Sequence, residues 1–175
     1  MNSIYNDIES LRTYGFNGGV PIASLKTNCS MIPDVQGIYL ITKELKQKAS
    51  FLKVGTGGHF KGKNPNVAIQ ELEMNWVEES VVVYIGKATS LRTRLSQYMK
   101  FGSGKNIGHW GGRYIWQLSY ANELLVWWMP VNDPREIENN PMLNNTPPTI
   151  SVSQCTPEIN LPYNDSILFI LVPTA

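Results

Sequence analysis

Lys87, Arg94 and Tyr98 lie in the stretch of this chain where residue types and spacing add up to a reaction. An arginine fork can hold two oxygens of a phosphodiester, an ammonium adds a point charge, and a phenol can give or take a proton. Arg94 and Tyr98 are four residues apart, so on a helix they share a face. Lys87 stands just past the run Val81-Val82-Val83-Tyr84-Ile85-Gly86, from whose end it can reach the same ground.

The elements that must hold these groups can be read from the neighbouring pattern. The run from Val81 is β-branched and apolar and reads as a buried strand. After it, Leu91, Leu95 and Tyr98 recur at helical spacing. Gly86 relaxes the junction, and Thr89 or Ser90 caps the helix. A second short strand is expected at Gly37-Ile38-Tyr39-Leu40-Ile41, entered from a turn at Pro33-Asp34. A third is expected at Glu123 to Met129, with Trp127 and Trp128 assigned to the core.

Gly37-Ile38-Tyr39 and Tyr84-Ile85-Gly86 occur in this order, both on expected strands. Gly86-Lys87-Ala88, Leu91, Arg94-Leu95 and Tyr98 follow the second tripeptide directly. Together these residues resemble the paired signature and third motif of the GIY-YIG endonuclease superfamily. The segment Gly108-His109-Trp110-Gly111-Gly112-Arg113, continuing to Trp116-Gln117-Leu118, is similar to a subgroup of bacterial proteins with that domain.

The resemblance implies an α/β (α+β) fold: a small, mainly antiparallel three-stranded core sheet flanked by helices. Residues 1–175 then form one domain, with 1–33 as an N-terminal elaboration and 43–80 as an insert between the signature strands. The implied activity is Mg²⁺-dependent (or Mn²⁺-dependent) hydrolysis of DNA phosphodiester bonds. Tyr39 or Tyr84 would position and deprotonate a water, Arg94 with Lys87 would stabilise charge on the phosphate, and Tyr98 would orient it. Glu138 would hold the metal. A free phenol ionises only near pH ~10, so a catalytic tyrosine is expected to rely on Lys87 and Arg94 to lower its pKa. On the helix expected after Asp133-Pro134, Glu136 and Glu138 point in opposed directions, and the family pattern of a glutamate before two small polar residues selects Glu138. Pro141 truncates that helix, a departure from the family that keeps a second reading open: a nucleic-acid-binding module with a degenerate site.

Charge distribution supports a polyanionic partner. The net charge is only +1, but Ser80 to Asn122 contains Lys87, Arg92, Arg94, Lys100, Lys105 and Arg113 and no carboxylate. Glu123 to Asp165 is acidic in turn. The expected DNA-contacting set is therefore Arg92, Lys100, Lys105, His109 and Arg113. For His109, a phosphate or leaving-group contact and a hydrogen-bonded structural role both stand. In the insert, Gly55 to Gly58 is not a Walker loop, because no GK[ST] follows at the required spacing. His59, Lys61 and Lys63 read either as DNA contacts or as a solvated loop. A short helix is expected within Val67 to Trp76.

Cys29 and Cys155 have neither CxxC spacing nor a histidine cluster, so no zinc site or disulfide framework is expected. The N-terminus shows no apolar signal segment, and the apolar run Ile167 to Val172 is too short to span a bilayer. The expected location is the cytoplasm.

Overall fold

The computed structural model describes residues 8–132, apart from 45 and 79. In chain order the elements are α1 (Ile8–Thr13), β1 (Asn17–Pro21), α2 (Ile22–Thr27), β2 (Gly37–Thr42), α3 (Ile69–Met74), β3 (Val82–Ala88), α4 (Leu91–Gly102) and β4 (Leu125–Pro130). Short 3-10 segments occupy Phe60–Gly62 and Trp110–Gln117. The strands form one antiparallel sheet in the order β1-β4-β2-β3, with the signature strands β2 and β3 side by side.

The sheet has four strands among the described residues, where the sequence pattern predicts three. The additional strand, β1, arises from the expected N-terminal elaboration, and its Gly18-Gly19 pair reads locally as a loop. Tertiary packing overrides that reading. Gly18 and Gly19 adopt φ of 105° and 74°, and a Cβ on either would come within 2.7 Å of the Trp128 or Trp127 ring. The glycines let β1 pair with β4 beneath two indoles, with a bulge between Gly18 and Val20.

Alternation along β2 sends Tyr39 and Ile41 to one face and Ile38 and Leu40 to the other. The first face packs against α2, α4 and the 110–117 segment through Leu25, Leu91, Leu95, Tyr98 and Trp116. The second is covered by Leu11 and Phe16 from the N-terminal segment, together with Trp127. Every residue of β2 is buried, as expected for a strand with neighbours on both edges and cover on both faces. Each large apolar side chain so enclosed contributes about 1.5–3 kcal/mol.

Helix α4 is set against the sheet by its own ends. Ser90 is the N-cap, its Oγ accepting from the Thr93 amide at 3.1 Å and bonding to Asp34. The amides of Leu91 and Arg92 donate to the carbonyls of Val35 and Pro33, so the loop entering β2 satisfies the first turn of the helix. At the other end Lys26 Nζ donates to the Gly102 carbonyl and to Asn122 Oδ1 while lying over the Trp116 ring. No described helix is long and apolar enough to cross a membrane.

Candidate active site

Antiparallel register places Tyr39 opposite Gly86, and Ile41 opposite Tyr84. The tyrosines therefore sit on the same face, and the missing side chain at position 86 is what admits the Tyr39 ring. A Cβ there would come within 2.3 Å of Tyr39 Cζ and 2.4 Å of its hydroxyl. Tyr39 and Tyr84 have ring centroids 5.8 Å apart, and Tyr84 stacks at 5.9 Å on Tyr98 from α4. Tyr98 also meets the edge of His109 and the Trp116 indole, each at 4.8 Å. One turn before Tyr98, half-buried Arg94 lies near enough to act electrostatically on both Tyr84 and His109.

The fold thus brings together Tyr39, Tyr84, Arg94 and Tyr98 from two strands and a helix. Lys87 is different. It pairs with Ile38 and so leaves the sheet on the opposite face from the phenols, half-buried at the end of β3. The sequence pattern alone places it over the same ground as Arg94. The pleat turns Lys87 away from Tyr84, three residues earlier on the same strand, so only the length of the lysine side chain can bring its charge around the strand end.

Burial dominates the electrostatics. Tyr39 is 1% exposed, and Tyr84 and Tyr98 are fully buried. Desolvation pushes the Tyr84 hydroxyl well above its ordinary range. Negative charge on Tyr39, a hydrogen bond with Tyr39 and charge on Tyr98 push it the same way, and Arg94 opposes only weakly. Desolvation, then charge on Tyr39, raises Tyr98 as well. For Tyr84, one of the two phenols expected to be lowered by nearby cations, the shift runs upward instead, because the loss of hydration outweighs the Arg94 guanidinium.

His109 is 1% exposed and faces the cluster. Burial first, and Arg94 second, hold it well below the ordinary histidine value, so it is neutral. Among the described residues neither ring nitrogen has a hydrogen-bond partner, nor do the Tyr98 hydroxyl and Trp116 Nε1. Its ring is enclosed among Tyr98, Phe101 and Gly112 rather than facing solvent. Gly112 packs over it: a Cβ there would come within 2.4 Å of the Tyr98 ring and 2.8 Å of His109. The glycines of this segment thus allow backbone to approach aromatic rings.

The other expected DNA contacts are dispersed. Arg92 is exposed at the start of α4 with Nε donating to the Ile32 carbonyl at 2.7 Å. Lys100 and Lys105 are exposed around its C-terminal end. Arg113 is half-buried, donating to the Trp110 carbonyl and the Tyr114 hydroxyl, which in turn donates to Glu71. Its guanidinium lies over both aromatic rings.

Gln117 holds a position that sequence reasoning missed. It is 1% exposed; Nε2 donates to the carbonyls of Leu52 and Val67, and Oε1 accepts from the Val67 amide. The signal was a lone amide within the apolar run Tyr114 to Leu118.

Among the described residues no group of three or more His, Cys, Asp or Glu side chains could hold a metal ion. Glu138 and Glu136 lie outside the described residues, as does Cys155. No family model, no curated protein and no solved structure matches the chain.

Proposed function

We propose that the chain is a metal-dependent endonuclease that hydrolyses DNA phosphodiester bonds at the Tyr39, Tyr84, Arg94 and Tyr98 cluster. One observation carries this reading. A strand at residues 37–42 and the consecutive strand and helix from 82 to 102 deliver three phenols and a guanidinium to one place, and Gly86 is bare where the Tyr39 ring needs room. Ring packing alone would be served by phenylalanine, which lacks the hydroxyls.

Within the cluster the phenols divide the work. Burial, and then charge on Tyr39, raise the Tyr84 and Tyr98 hydroxyls, so this reading gives the general-base role to Tyr39. Tyr39 then takes the proton of the attacking water, with Tyr84 hydrogen-bonded to it. Arg94 holds the phosphate oxygens where charge accumulates, and Lys87 adds charge from the strand end. Bound Mg²⁺, held by Glu138, would supply Lewis-acid stabilisation of the leaving oxygen.

A second reading, a nucleic-acid-binding module with a degenerate site, is favoured by the near-complete burial of the three phenols. Supercoiled plasmid incubated with the protein and Mg²⁺, with and without EDTA, separates the two. Nicking or linearisation that EDTA stops and that Arg94→Ala lacks is the expected result. DNA retention without cleavage under any divalent-metal condition would establish the binding module instead.

A further inference from the structure

The insert is not a free excursion from the sheet. Its backbone is stitched along the segments that follow the signature strands: Leu52 N donates to Gln117 O at 2.7 Å, Thr56 N to Trp116 O at 3.0 Å and Gly58 N to Phe101 O at 2.9 Å. Ser119 N returns a bond to Ser50 O at 2.8 Å, and Phe51 bridges to Leu118. Gly58 lies so close to the loop after α4 that a Cβ there would come within 1.9 Å of the Lys105 carbonyl oxygen.

This docking joins two stretches of unusual charge. Residues 45–70 hold Lys46, Lys48, Lys53, Lys61 and Lys63 with no Asp or Glu, and residues 80–122 hold six Lys or Arg with none. Where they meet, His59, Lys61 and Lys63 from the insert and Lys100 and Lys105 from the end of α4 are all exposed. Lys61 is also the one described non-glycine residue with positive φ, 53°, a conformation sparsely populated by residues with a Cβ. Its amide is held by Asn106 Oδ1 from the facing loop at 3.2 Å. The loop after α4 therefore sets the backbone of the insert tip at the position of a lysine.

We propose that the insert tip and the loop after α4 form one cationic surface that grips the phosphate backbone of duplex DNA beside the cleavage site. Cations spread over two apposed loops suit an extended polyanion rather than a small anion, which would call for a convergent pocket. The choice of DNA rests on the proposed nuclease activity; the surface itself rests on the docking and the charge.

The test is fluorescence anisotropy of a labelled duplex in EDTA across about 50–300 mM KCl, where the salt dependence of affinity reports how many phosphates the protein neutralises. Lys61→Ala/Lys63→Ala/Lys105→Ala is compared with the wild-type chain and with Arg12→Gln, which removes a cation from the helix covering the other sheet face. The triple variant should bind at least about tenfold more weakly at low salt, with the log–log slope shallower by about 2–3, near 0.9 for each phosphate left without its lysine. Arg12→Gln should leave the slope unchanged. A wild-type slope in the triple variant, an equal loss in Arg12→Gln, or no duplex binding by the wild-type chain would overturn the proposal. Cleavage is measured separately: binding that depends on these lysines in a protein that never cuts would retain the surface and remove the nuclease reading.

Discussion

Gly86→Ala tests whether the geometry of the tyrosine cluster rests on an absent side chain. The new methyl would be built 2.3 Å from Tyr39 Cζ, 2.4 Å from its hydroxyl and 2.6 Å from Cε1, all well inside contact distance. Tyr39 is 1% exposed between β3 and β4, so it has little room to retreat. Overpacking of this kind costs about 1–3 kcal/mol. About 0.5–1 kcal/mol returns because alanine loses less backbone entropy than glycine in a strand. The net loss of about 1–2 kcal/mol corresponds to a fall in Tm of roughly 2–8 °C for a chain of this size. Thermal unfolding followed by circular dichroism reads this directly, and a double-mutant cycle isolates the contact. Tyr39→Leu removes the three atoms that the methyl would strike, so in that background Gly86→Ala should become neutral or slightly stabilising. Destabilisation of the same size with and without the Tyr39 ring would refute the steric reasoning, and an unchanged Tm in the single variant would show that the strands part easily there.

Three further outcomes follow from the site. Arg94→Ala should lower plasmid cleavage by orders of magnitude while weakening duplex affinity only modestly, and Arg94→Lys should fail nearly as badly because a point charge cannot reproduce the fork; initial rates and anisotropy separate the effects. Glu138→Gln should abolish Mg²⁺-dependent cleavage with binding retained, whereas Glu136→Gln should stay active, and the reverse pattern in the same assays would shift the metal ligand to Glu136. His109, depressed by burial and by Arg94, contributes stability present above its unfolded value of about 6.5 and lost as pH falls through its lower folded value, because the unfolded chain binds the proton first. Urea unfolding should therefore show a slope of up to about 1.4 kcal/mol per pH unit below pH ~6.5 that His109→Phe removes, and parallel curves would exclude the mechanism.

Local pattern carries much of the architecture. The β-branched run before Gly86, the helical spacing of Leu91, Leu95 and Tyr98, and the run from Glu123 to Met129 each specify their element without help from distant residues; β3 and α4 stand where those patterns place them, and β4 forms two residues later than expected, at Leu125–Pro130. Ser90 caps α4 as its side chain and position predict. The helix expected within Val67 to Trp76 forms at Ile69–Met74, and Trp127 and Trp128 are buried. What the pattern does not disclose depends on partners far along the chain. A glycine-rich strand has no period of its own, and β1 exists because the indoles of β4 leave room only for glycine. By contrast, that Lys87 emerges on the face opposite Tyr84 follows from alternation along β3, and the sequence discloses it once the strand runs through Ala88. The direction in which the phenols shift depends on how completely α4 and the 110–117 segment close over them, which residue types alone do not reveal.

The clasp made by Gln117 has a consequence for how this chain can change. One buried amide grips Leu52 and Val67 together, and between them Thr56 and Gly58 bond to Trp116 and Phe101, so the insert is closed at its base and only its tip projects beyond these bonds. Lengthening a loop already closed at its base adds little, each doubling requiring only about 0.6 kcal/mol of closure entropy. A longer tip therefore costs little in closure, and what it gives up is the bond from the Lys61 amide to Asn106 rather than the register of the tyrosine-bearing strands.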